Sequence, residues 1–204
     1  MNIETTRNIE RRNKQKSEIE PYRFLGLQEP NQQALYDTLQ LKGFQSPHSS
    51  QMMFSHPIGT QPQGKTKTLL DTNMWSGSVL EMPWSFFFKN LSAVFVKEGT
   101  VLPVRNTWYR GTYAQFLVNG KIYLKSHLDR CADRCALFAD DESRRDAVER
   151  GIWKLLEPMP WVPCLISPQE SFGVQLEFSN LLDWENAPDA VVIYLDGVLF
   201  RAIQ

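Results

Sequence analysis

The stretch TYAQFLVNGKIYLKS, Thr112 to Ser126, decides the fold. Tyr113, Gln115 and Leu117 alternate at period two up to Asn119-Gly120, and Ile122 and Leu124 resume the pattern beyond it. Asn-Gly supplies the two positive φ values of a type I′ turn, whose twist matches an antiparallel pair. The stretch reads as a β-hairpin.

Working outward, Trp84 to Phe88 and Leu91 to Lys97 are aromatic and β-branched runs, and Lys97-Glu98-Gly99 reads as a turn into Val101 to Val104. Phe172 to Phe178 alternates as a strand, and Val191 to Leu195 with Val198 to Ala202 flank Asp196-Gly197 as a second hairpin. Three helices are expected beside these strands. One is opened by Pro30-Asn31 and closed by Gly43, with Leu35, Tyr36, Leu39 and Leu41 as its apolar stripe. Another runs from Leu128 to Phe138, and a third opens at Asp140 or Asp141, carries Val148, Ile152, Leu155 and Leu156 on one face and stops at Pro158. Hairpin connections favour an α+β class, a mostly antiparallel sheet with two or three packed helices, over a doubly wound fold. Residues 1–67 read as a polar, partly disordered N-terminal arm with one helix and a Pro/Gly-rich linker, and residues 68–204 as the core domain.

Composition bounds the function classes. The 204 residues carry 22 Lys+Arg against 23 Asp+Glu, a formal net charge of -1, which removes any whole-protein electrostatic argument for nucleic acid or an anionic membrane. Hydrophobic residues at 42% supply a core, which excludes wholesale disorder. The longest apolar clusters are broken by Lys89, Lys97 and Asp196, so no membrane span is expected. Met1 to Glu20 lacks the apolar run of a secretory signal, and the odd set Cys131, Cys135 and Cys164 suits a reducing compartment. The expected address is the cytoplasm.

The most specific local string is Gly59-Thr60-Gln61-Pro62-Gln63-Gly64-Lys65-Thr66, which fits G-x-x-x-x-G-K-[ST]. In a phosphate loop backbone N–H groups wrap the phosphates, and here Lys65 would reach the β/γ oxygens, Thr66 would ligate Mg²⁺, and Asp196 would end the partner strand. That is a Mg²⁺-dependent NTPase or kinase. Context opposes it: Ser55, His56 and Pro57 stand where a buried parallel strand should end, and Pro62 removes an amide from the cradle. Asp71-Thr72-Asn73 reads as a turn. On a helix His127, Cys131 and Cys135 would spread their outer pair roughly 12 Å along the axis, too far for one tetrahedral zinc. No metal or cofactor is expected.

The remaining signal is distributed. Arg7, Arg11, Arg12, Lys14 and Lys16 form a basic arm, and Arg105, Arg110, Lys121 and Lys125 recur beside Trp108 and Tyr123. Cations next to exposed rings suit phosphate neutralisation and base stacking. The expectation is a non-catalytic cytoplasmic accessory or regulatory protein that contacts nucleic acid, a nucleoprotein complex or a protein partner through these residues.

Overall fold

The computed structural model describes residues 28–42, 50–137, 139–142, 144–145 and 164–202. Two long strands, β4 (Ser85–Lys97) and β10 (Ala190–Ala202), pair antiparallel along most of their length and form the spine of the first sheet. The outer edge of β10 carries β2 (Leu35–Gln40) against its first half and β1 (Gln28–Asn31) against its second. The outer edge of β4 carries β5 (Thr100–Val101) and β8 (Cys164–Ile166). The second sheet has the order β3 (Gln51–Met53), β9 (Phe172–Phe178), β6 (Thr112–Val118), β7 (Lys121–His127), again antiparallel throughout.

Residues 28–67 therefore contribute strands to both sheets. The sheets share one core in which Phe88 of β4 meets Phe116 of β6 with ring centroids 4.4 Å apart. Phe86, Phe88, Phe95 and Phe116 are fully buried, and each such side chain is worth roughly 1.5–3 kcal/mol of transfer free energy. Tyr109 is buried among them with its polar tip satisfied: its hydroxyl accepts from Phe95 N–H at 3.1 Å and donates to the Leu102 carbonyl at 3.2 Å.

Both tight turns form as their residues require. Asn119 and Gly120 hold φ of 49° and 73°, and Glu98 and Gly99 hold 51° and 73°, the paired positive values of a two-residue hairpin loop.

The α+β expectation with two or three packed helices is overturned. The architecture is mainly antiparallel β, and among the described residues the assigned helical elements are single turns, the longest being Thr107–Gly111. In place of the helix expected from Pro30, the described residues 30–42 hold the end of β1 and all of β2, because pairing with β10 satisfies their backbone where a narrow leucine stripe would have left a helix unsupported. The second expected helix breaks, over the described residues 128–137, into a 3₁₀ turn at Leu128–Arg130 and one α-turn at Arg134–Leu137. Between them β4 captures the chain: Ala93 N–H donates to the Cys131 carbonyl at 2.7 Å, and Asp133 N–H donates to the Ala93 carbonyl at 3.0 Å. Of the third expected helix the apolar stripe, Val148 to Leu156, lies outside the described residues. The Asp196-Gly197 hairpin is also corrected, since both residues lie inside the continuous β10, where the register with β4 shifts by a bulge.

Candidate binding surface and the cavity between the sheet edges

Among the described residues β7 pairs with β6 alone and is the outer strand of the second sheet. Leu124 and Ser126 point inward, while Lys121, Ile122, Tyr123, Lys125 and His127 are exposed. The bulge between Phe116 and Leu117 breaks the alternation locally, which is how neighbouring Ile122 and Tyr123 come to be 44% and 45% exposed together. Register places Gln115 opposite Lys125 and Tyr113 opposite His127, whose rings meet edge to face at 5.2 Å. The His127 Nδ1 lies 3.0 Å from the carbonyl of Arg110, so Arg110 sits at that end of the strand. Further across the face Gln115 donates to Glu177 at 3.0 Å, the one acid in these rows. The hairpin tip is fixed, because Asn119 Nδ2 donates to Glu170 at 3.0 Å and Asn119 N–H donates to the Ser171 carbonyl at 2.7 Å.

Of the expected contact residues, the fold gathers Lys121, Tyr123 and Lys125 on one strand with Arg110 beside it. Trp108 is elsewhere: it is 4% exposed, stacked edge-on against Trp184 at 5.0 Å, and presents no face to a base. Arg105 is exposed but engaged by Glu142 and, at 3.3 Å, by Asp140. The arm residues Arg7, Arg11, Arg12, Lys14 and Lys16 lie outside the described residues.

The GxxxxGKT string lies between β3 and the Thr68–Asp71 turn. Gly59 and Gly64 take φ of 86° and 78°, yet the loop spends its amides on itself. Gly59 N–H donates to the Lys67 carbonyl, Lys67 to Thr60, Gly64 to Gln61 and Lys65 to Pro62. An N–H cradle needs those donors free. The strand before the loop is three residues long and antiparallel, and a 3₁₀ turn, Pro62–Gly64, occupies the loop itself. Thr66 Oγ1 accepts from Gln61 Nε2 at 2.9 Å, and Lys65 reaches Asp71 at 3.7 Å. Asp196 sits in the β10 bulge, where it accepts from Ser92 Oγ at 3.0 Å.

What the sequence did not signal is the cavity this loop helps to close. It has a volume of about 330 Å³ and opens between the edges of β2 and β3, lined by Asp37 to Gln40, Gln51 to Met53 and Lys65 to Lys67, with His56 and Asp71 at its margin. At its base Lys67 Nζ donates to Asp37 Oδ1, the two side chains 10% and 2% exposed. Asp37 Oδ2 accepts from Phe54 N–H at 2.6 Å, which holds a bulky residue at φ 68°. Burial pushes the Asp37 carboxyl above its ordinary value, with the Lys67 charge pulling it back. An acid in the Leu35–Leu41 run was the available clue, since a buried carboxylate demands a partner.

The three cysteines are unpaired. Burial raises the Cys131 and Cys164 thiols to about 11, so they are protonated at neutral pH, while Cys135 is exposed. No helix among the described residues is long and apolar enough to cross a membrane. A scan against protein-family models and searches of curated proteins and solved structures gave no match.

Proposed function

We propose that this chain is a non-catalytic accessory protein of the cytoplasm that binds single-stranded nucleic acid across the β6–β7 hairpin. The observation that carries the reading is the run of exposed residues on β7. Lys121, Ile122, Tyr123, Lys125 and His127 are exposed on a strand whose outer edge is unpaired among the described residues, and the bulge sets the half-exposed Tyr123 ring out of register between the two lysines. Lysines on such an edge neutralise phosphates while an accessible ring beside them offers a stacking platform. The inward side chains of Leu124 and Ser126 anchor the strand, so little ordering cost falls on binding. Arg110 extends the row toward His127, and the basic arm, Arg7 to Lys16, adds neutralising charge. Three unpaired thiols support the cytoplasmic address.

The test is fluorescence anisotropy of a labelled 12-nucleotide single strand titrated with full-length protein between 50 and 300 mM salt. The reading expects log affinity to fall linearly with log salt, and a double-stranded oligonucleotide of the same length to bind more weakly. Absence of binding at 50 mM salt refutes it.

A further inference from the structure

We propose that the cavity between β2 and β3 binds a small oxyanion, the carboxylate or phosphate of a compact metabolite, with Lys67 as its anchor and Lys65 as its gatekeeping cation. The inference is independent of the hairpin reading.

A donor and acceptor account of the cavity leads to this ligand class. Both acids are engaged on each oxygen from within the chain. Asp37 takes Lys67 Nζ on one oxygen and Phe54 N–H on the other, and Asp71 takes Thr68 N–H and Thr68 Oγ1 on one oxygen with Lys65 near the second. The ammonium groups are not saturated. Lys67 Nζ carries three protons, and among the described residues Asp37 is its acceptor. Lys65 holds Asp71 only at 3.7 Å, with a side chain 64% exposed. The unused capacity of the two ammonium groups is donor capacity, charged and, at Lys67, shielded from water, and what complements it best is anionic oxygen.

The sheet edge lends further polar groups. Tyr36 turns its N–H and C=O away from β10, donating to Asn73 Oδ1 at 2.9 Å and accepting from Asn73 N–H at 3.3 Å. The two-residue period of a strand puts the N–H and C=O groups of Thr38 and Gln40 on that same edge, where these residues line the cavity, so a ligand with both an acid and a hydroxyl finds partners there. Met53, Leu39 and Pro62 supply apolar wall for the rest of a small molecule. Recognition here is by side chains and a strand edge. It does not use the amides of Gly59, Thr60, Gly64 and Lys65, which the loop spends on itself.

The experiment is isothermal titration of full-length protein with inorganic phosphate and, separately, with succinate, each to 10 mM. One saturable site is expected for at least one anion, weakened at least about tenfold by Lys65→Ala, whose exposed side chain the fold does not need. Lys67→Met alone risks unfolding, so it is made with Asp37→Asn, and that pair should abolish the site in a protein whose thermal melt remains cooperative. Lys121→Ala on the hairpin should leave it unchanged. No saturable heat with either anion, or parental affinity retained in the Lys65→Ala protein or in the Asp37→Asn/Lys67→Met protein, overturns the proposal.

Discussion

Gly197 crosses Phe87 so closely that a β-carbon at 197 would lie inside the shell of the Phe87 carbonyl oxygen and 2.6 Å from Phe86 Cζ. This contact seats the bulge that lets β10 keep pairing with β4 on both sides of Asp196. Gly197→Ala must push backbone against backbone in the spine of the first sheet, so a loss of about 3 kcal/mol or more is expected, read as a shift of the denaturant midpoint. Gly111 is the control. A β-carbon there would meet Leu182 Cδ2 at 2.5 Å, the tip of a side chain that can rotate, and Gly111→Ala should cost less. Equal losses in the two variants would show that the bulge contact is not special.

The residue before Gly197, Asp196, predicts a pH dependence. Burial raises the Asp196 carboxyl above its ordinary value, and the nearby Asp133 charge adds to the rise, against the hydrogen bond from Ser92. The native state therefore holds this proton more tightly than the unfolded chain. Stability linked to Asp196 is greatest in acid and is lost as pH rises from the ordinary carboxylate range through the raised native value. Asparagine keeps an acceptor for Ser92 and cannot ionise. Asp196→Asn should be more stable than the parent at pH 7, on the order of 1 kcal/mol, with the gap closing below about pH 4. Urea melts at the two pH values decide it, and a variant less stable at pH 7 would contradict the assignment.

These two residues also mark where the sequence could be read and where it could not. The Asn119-Gly120 and Glu98-Gly99 turns were legible because turn chemistry is local: the residues carry the positive φ values themselves. Asp196-Gly197 shows the same dipeptide type serving a bulge, and only the distant Phe86–Phe87 backbone distinguishes the two uses. The Leu35–Leu41 stretch failed as a helix for a related reason. Its partner edge on β10 lies at the other end of the chain, and that edge decided its state. On the hairpin, Lys121, Tyr123 and Lys125 share β7, but period-two spacing carried no sign of the bulge that sets Tyr123 out of register, and Trp108 is buried because an aromatic in a short turn carries no signal of which way it packs. The cavity was invisible because Asp37 and Lys67 are brought together across 30 residues by the meeting of two sheet edges.

That pairing makes its own prediction. Asp37→Ala removes the acceptor of a buried ammonium and the clamp on Phe54 in one step, so a loss of about 3–5 kcal/mol is expected. Lys67→Met leaves a buried carboxylate that can take up a proton and should cost less. The double variant Asp37→Asn/Lys67→Met removes both charges while retaining an acceptor for Phe54 N–H, and should recover part of the loss. In a cycle closed with the single variant Asp37→Asn, additive losses would mean that the two side chains do not act as a pair.

The hairpin reading turns on residues whose removal should leave the fold intact. Lys121, Tyr123 and Lys125 are all exposed, so the two lysine-to-alanine variants should melt within about 0.5 kcal/mol of the parent and Tyr123→Ala, which gives up a contact with Phe116, within about 1 kcal/mol. Each lysine that neutralises a phosphate of a single strand releases about 0.7 of a counterion, and Lys121→Ala/Lys125→Ala should flatten the log–log salt slope by about 1.4. Tyr123→Ala acts through stacking. It should lower affinity by about 1–3 kcal/mol at every salt concentration and leave the slope unchanged. Trp108→Phe, by contrast, touches only the core, and its effect belongs in the melt rather than in the binding curve. The separation is the test, because a surface that merely attracts polyanions would lose slope with the lysines and show no salt-independent loss with the ring.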